Sequence, residues 1–263
     1  MNRSLVTILL IGQFLFSFSQ STEFPYDLKK RNIILPAIGV TSELLFRNNE
    51  ELSKNDIASF NNSTINSFDR SATSFFNPKL DKISNGLTVA LVLSPIAINF
   101  YGNKKIEKSH LFIYSVMYTE AILVSFSISD FSKRISKRSR PYLYNDDISN
   151  LEKWDEYEKD KSYSFFSKQS ALAFCSATFL SKTFTDIYGK SKSSQLVWIG
   201  THTLAASVAL LRVYSGQHYP TDVIAGAFVG SFIGYIVPSL HKKNSNVSLS
   251  VSTNHFSLVY LVN

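Results

Sequence analysis

The 263 residues are 44% apolar and 14% aromatic, enough to build one large core or a membrane-embedded bundle. A formal net charge of +7, gathered around a few segments, suits phosphorylated substrates or anionic lipid, and the absence of an aromatic-studded basic platform argues against nucleic acid as a partner. The single cysteine, Cys175, excludes an internal disulfide and lies within an apolar run as a small core residue.

In chain order, residues 1–19 read as a secretory leader: Arg3, an apolar run from Leu5 to Phe16, then Ser17-Phe18-Ser19, which permits cleavage before Gln20. An uncleaved anchor is the other reading, and either one exports the chain or inserts it in a membrane. Asn32 to Phe46 is apolar but holds Pro36 and Glu43 and falls short of the roughly 20 residues of a span, so a packed or interfacial helix is expected. Residues 47–78 are polar, with helix signals at Ser53–Asp56 and from Asn66, so residues 20–77 are read as a cover of short helices and loops.

Stronger helical segments follow near 78–101, 107–132, 168–185, 194–213 and 219–240, joined by short polar connections that suit antiparallel neighbours. The stretch 141–166, crowded with charged residues and Tyr, is expected to be a long lid-like loop. Gly226, Gly230 and Gly234 recur every four positions and predict close helix–helix contact. The fold class is therefore all-α, an antiparallel bundle of five to six core helices over 78–243. Residues 244–263 switch to a period-two pattern that predicts a short C-terminal β-hairpin. Runs such as Leu111–Ile128 and Val223–Leu240 favour a membrane-embedded bundle over a soluble exported one, although Glu120 and His202 interrupt two helices. Lys104, Lys105, Lys108, Lys190, Lys192, Lys242 and Lys243 fall at the ends opposite His218, which by the positive-inside tendency puts His218 on the external face.

Three clusters sit at helix ends: Lys133 to Pro141, Ser164 to Phe174, and Arg212 to Asp222. In an up-and-down bundle all three return to one end. Taken singly, a basic run is a solvated helix end, a histidine before a proline is a turn residue, and a serine before a helix is an N-cap. Together they place His218 one helical turn before Asp222, among several cations. No group of residues has convincing metal-ligand spacing, and no cofactor is called for.

In these clusters the chain resembles the type 2 phosphatidic acid phosphatase superfamily, which includes bacterial acid phosphatases and vanadium haloperoxidases. Its three motifs are Lys-x6-Arg-Pro, Pro-Ser-Gly-His and Ser-Arg-x5-His-x3-Asp. The first stands here complete as Lys133, Arg140 and Pro141, and the third as Arg212, His218 and Asp222, with Leu211 in place of serine. The second departs: with Ser167 aligned to the motif serine, Phe166 replaces proline, Lys168 glycine and Gln169 the general-acid histidine.

The resemblance implies a two-step phosphoryl transfer through a phosphohistidine on His218, oriented by Asp222, with Lys133, Arg140, Arg212, Ser167 and Lys168 binding phosphate. Gln169 can donate a hydrogen bond but cannot transfer a proton, and such assistance is worth about 10²–10⁴ in rate. A diphosphate suffers less than an alkyl monoester, because its leaving phosphate is already a stable anion. The expected function is a membrane-associated or exported phosphatase of lipid phosphates or diphosphates. The alternative is an impaired member that binds a phosphorylated lipid or headgroup without turnover.

Overall fold

The computed structural model describes residues 24–28, 54–57, 60–100, 107–160, 163–243, 247–252 and 255–260. The leader at 1–19 and the apolar segment from 32 to 46 lie outside these. Short helices α1 (Lys54–Ile57) and α2 (Ser67–Arg70) precede α3 (Pro78–Leu93), α4 (Lys108–Ser136), α5 (Asn150–Asp160), α6 (Lys168–Tyr188), α7 (Lys192–Tyr214) and α8 (Pro220–His241). The helix starts follow from local chemistry. Asn77 accepts from the N–H groups of Lys79 and Leu80 ahead of Pro78, and Ser191 and Ser194 form a reciprocal capping box. At α8, Pro220 opens the helix while the Asp222 side chain takes the Tyr219 N–H.

The stretch read as a loop over 141–166 instead contains a 3₁₀ turn at Pro141–Tyr144 and the helix α5. Charge density masked that helix, since few of its residues are apolar. Its body is nonetheless anchored, with Tyr157 buried and Trp154 against the Tyr157 ring.

The core lies between α4, α6 and α8, where Tyr114 and Tyr118 pack on Phe179 and meet Met117, Leu172 and Ile233. The closest approach is between α6 and α8. A Cβ built on Gly226, Gly230 or Gly234 would fall 2.6, 2.1 or 2.4 Å from the carbonyl oxygens of Ser167, Ala171 and Cys175 respectively. The four-residue glycine spacing thus lets one backbone lie directly on the other.

Among the described residues, four helical segments, Pro78–Ile98, Lys108–Tyr144, Lys192–Tyr214 and Pro220–His241, are long and apolar enough to cross a membrane. Their outer surfaces carry exposed Leu196, Trp198, Leu210, Phe228 and Phe232, a surface suited to hydrocarbon. Two of the polar residues within them have partners. Glu120 meets the His241 Nε2 at 2.8 Å, and His202 bonds the Trp198 carbonyl and Thr178.

The two bundle ends are tied differently. At one, Asp186 accepts from Tyr26, Lys182 and Lys242, and the Lys243 N–H donates to the Pro25 carbonyl, fixing residues 24–28 beside the end of α8. At the other, the Asn77 N–H donates to the Ser215 carbonyl, and Ile57 packs with Tyr142 and Leu143. Beyond α8, Val247–Ser252 and His255–Tyr260 pair antiparallel, Val247 opposite Tyr260. The turn that a hairpin requires falls on 253–254, outside the described residues.

Candidate active site

The three clusters meet at the end of the bundle away from residues 24–28, and backbone bonds lock them together. The Tyr142 N–H donates to the Gly216 carbonyl, the Ser164 N–H to the Arg138 carbonyl, and the Ser167 N–H to the Asp222 carbonyl. The turn that presents His218 needs glycine at 216. Its φ is +76°, and a Cβ there would lie 2.1 Å from the Phe75 carbonyl oxygen. The carbonyl of Arg212 then accepts the N–H groups of Gln217 and His218, drawing the imidazole back over the end of α7.

His218 is fully buried, and its Nδ1 lies 3.5 Å from Asp222 Oδ2. Among the described residues neither ring nitrogen reaches a partner in good hydrogen-bond geometry. A buried polar atom left this way costs about 1–3 kcal/mol, which a packed protein tolerates chiefly where the atom is used. Burial holds the imidazole well below its ordinary pKa, and the positive charges of Arg212, Arg140 and Lys133 push in the same direction. The ring is therefore neutral at physiological pH, with a lone pair available on Nε2.

Two of the cations have orienting partners that the sequence does not reveal. Arg212, Arg140 and Lys133 are all buried. An Arg212 guanidinium nitrogen bonds closely to Asp81 and reaches Ser84 Oγ at 3.2 Å, both on α3. Arg140 bonds closely to the Gln217 side chain, whose amide nitrogen donates to Glu156 of α5 at 3.1 Å. Helix α5 thus connects to Arg140 through a single glutamine.

Asp222 is held mainly by groups other than the histidine. Its Oδ1 accepts from Arg138 at 2.6 Å and its Oδ2 from the Tyr219 N–H at 2.9 Å. Arg138 lies 3.8 Å above the Tyr219 ring and also bonds Asp69 at 2.8 Å. Asp69, fully buried on α2, accepts in addition from the N–H and hydroxyl of Thr221. Burial alone would raise the Asp69 pKa, but Arg138, Asn66 and Thr221 outweigh it and hold the carboxyl below its ordinary value.

The second cluster departs most from expectation. Ser167 caps α6, its Oγ accepting from the N–H and the hydroxyl of Ser170. The Lys168 ammonium is bound to Asp130 at 2.5 Å and lies 4.0 Å over the Phe126 ring, so its charge is committed to α4 and not to a phosphate. Gln169 lies on the first turn of α6. Its amide nitrogen donates to Asn85 Oδ1 at 3.2 Å, and Asn85 donates to Asp81 Oδ2 at 3.0 Å. Sequence reasoning passed over Asp81, Asn85, Arg138 and Asp69. The Asp81–Asn85 spacing of four on an amphipathic helix gave a signal, but nothing in the sequence said which side that face would meet.

Comparison with known proteins identifies the family. The family model for the PAP2 superfamily matches residues 112–246. The chain is 27% identical to the lipid A 4'-phosphatase of Porphyromonas gingivalis over 147 residues, covering 56% of this chain and 58% of that one. It is 32% identical to the bacitracin transport permease protein BcrC of Bacillus licheniformis over 106 residues, 39% of this chain and 46% of the relative. The chain thus spans only about half the length of these two relatives. A solved transmembrane PAP2-type phosphatidylglycerolphosphate phosphatase from Bacillus subtilis superposes with a TM-score of 0.45 at 19% identity, over 80% of this chain and 94% of that one.

Proposed function

Since the chain belongs to the PAP2 superfamily, we propose that it is a membrane-embedded phosphatase of lipid phosphates or diphosphates, working through a phosphohistidine on His218 with the site on the external face. The observation that carries this reading is the buried, neutral imidazole, neither nitrogen in good hydrogen-bond geometry, among Lys133, Arg140 and Arg212 and 3.5 Å from a carboxylate. Nε2 attacks phosphorus, and the bond from phosphorus to the leaving oxygen breaks, its electron pair staying on that oxygen. Asp222 supports the positive charge that develops on the ring. The buried cations meet the equatorial oxygens as charge spreads onto them, and backbone N–H groups at the start of α6 add donors. Water then releases phosphate from the histidine.

Substrate class follows from position 169. An amide there cannot protonate an alkoxide, so the favoured substrate is a lipid diphosphate, whose departing lipid monophosphate needs no proton. Lipid phosphatase names among the relatives are consistent with a lipid-borne substrate. Binding of a phosphorylated headgroup without turnover is the second reading, motivated by Gln169 itself.

The test uses the full chain in detergent, with phosphate release followed from farnesyl diphosphate and from phosphatidic acid. Release from the diphosphate that is abolished in His218→Ala is expected, together with gain of monoester hydrolysis in Gln169→His. Absence of release from either substrate above the His218→Ala background sinks the enzyme reading, and phosphate binding lost in Arg212→Ala would then support the binding one.

A further inference from the structure

A phosphohistidine enzyme without a second histidine can discharge its first leaving group, but it lacks a base for the water that must follow. We propose that Asp81 is that base, an inference that rests on the phosphohistidine reading above. Three observations place Asp81 for the task. Its Oδ1 is bonded to Arg212, one of the cations around His218, so the carboxylate lies one guanidinium away from a bound phosphoryl group. Its Oδ2 is bonded to Asn85, which in turn accepts from Gln169, so it sits on the leaving-group side that position 169 marks. About 22% of its side-chain surface is open, unlike the fully buried Asp222, so water can reach it.

The chain Gln169–Asn85–Asp81–Arg212 also explains why these residue types occur together. Asn85 uses its amide in both directions, accepting from Gln169 and donating to Asp81, and so fixes the carboxylate plane. The bond from Arg212 holds the other carboxylate oxygen, so both ends of the group are fixed. The division matches a diphosphate substrate: no acid is needed to expel a lipid monophosphate, but a base is needed to activate water.

In the second step, water approaches phosphorus opposite the histidine. A new bond forms between the water oxygen and phosphorus while Asp81 takes the water proton. The bond between phosphorus and Nε2 breaks, and its electron pair returns to the imidazole. Inorganic phosphate leaves, and Asp81 loses its proton to solvent across its open edge.

The experiment is rapid quenching of full-length protein in detergent, with farnesyl diphosphate radiolabelled on the terminal phosphorus. Asp81→Asn, which preserves shape, is expected to give a burst of farnesyl monophosphate of about one per site. Labelled phosphohistidine should accumulate, and steady-state phosphate release should slow by about 10²–10⁴-fold. Adding Gln169→His to that variant is expected to restore release, because the imidazole supplies the base. The burst amplitude itself counts folded sites, so a misfolded variant cannot mimic the result. Equal slowing of both steps without accumulated label would make Asp81 only a support for Arg212 and overturn the proposal. Unchanged turnover would overturn it too. If the parent protein forms no farnesyl monophosphate above the His218→Ala background, it is the phosphatase reading that fails, and this inference fails with it.

Discussion

Replacing Gly230 by alanine tests whether backbone contact between α6 and α8 holds the bundle together. The added Cβ would sit 2.1 Å from the Ala171 carbonyl oxygen and 2.8 Å from its carbonyl carbon. Neither atom is the end of a flexible side chain, so relief requires one helix to move off the other by roughly 1 Å. Overpacking of this kind costs about 1–3 kcal/mol, set against a gain of up to about 1 kcal/mol from the better helix propensity of alanine. Gly200 supplies the control, because nothing lies within 4 Å of a Cβ placed there and it too is helical. Gly200→Ala should therefore raise the thermal midpoint in detergent, and Gly230→Ala should lower it by several degrees, at about 2–4 °C per kcal/mol. A Gly230→Ala protein as stable as Gly200→Ala would refute the account of the helix contact.

Other perturbations probe the site. Gly226→Ala meets the carbonyl of Ser167, whose N–H bonds the Asp222 backbone, so it should lower turnover more than Gly230→Ala for a similar loss of midpoint. Because the folded-state pKa of His218 is lowered, the unfolded chain binds its proton first as pH falls. This group's contribution to stability is thus complete above its ordinary value of 6.5 and declines below it, while the acid limb of kcat/KM should fall well below 6.5. A limb at the ordinary imidazole value would contradict a buried neutral nucleophile. Asp69→Asn removes the carboxylate that restrains Arg138. Breaking a buried pair costs about 3–5 kcal/mol, reduced here to about 2 kcal/mol because Arg138 is a quarter exposed, and it should lower kcat with little change in KM. Equal loss in binding and turnover would place Arg138 against substrate instead of behind Asp222.

The helical body was legible because its apolar runs exceed what local propensity needs and their connections are too short for anything but antiparallel neighbours. Convergence of the clusters followed from that alternation alone. Three things stayed hidden, each for a physical reason. Helix α5 is mostly charged, so its few apolar positions do not stand out in the sequence, and Tyr157 and its neighbours anchor it. The commitment of Lys168 to Asp130 depends on the rotation of α4 against α6, which no single segment encodes. The restraint of Asp222 by Arg138 and Asp69 joins residues 84 and 69 positions distant from their partners, so it exists only once the cover is folded onto the bundle.

The tether at Tyr26 bears on which way the protein faces. Residues 24–28 are fixed at the end of α8 through Asp186 and Lys243, whereas Ile57 packs beside Tyr142 at the His218 end. In a bilayer that puts Pro25 and His218 in different compartments. A leader removed outside would leave Pro25 outside and turn His218 inward, while an outward His218 requires Pro25, with Lys242 and Lys243, on the inner side. A cleaved leader and an external catalytic histidine, each reasonable when read from its own stretch of sequence, therefore exclude one another. Labelling a cysteine placed at Lys243 with an impermeant reagent in intact cells decides both at once.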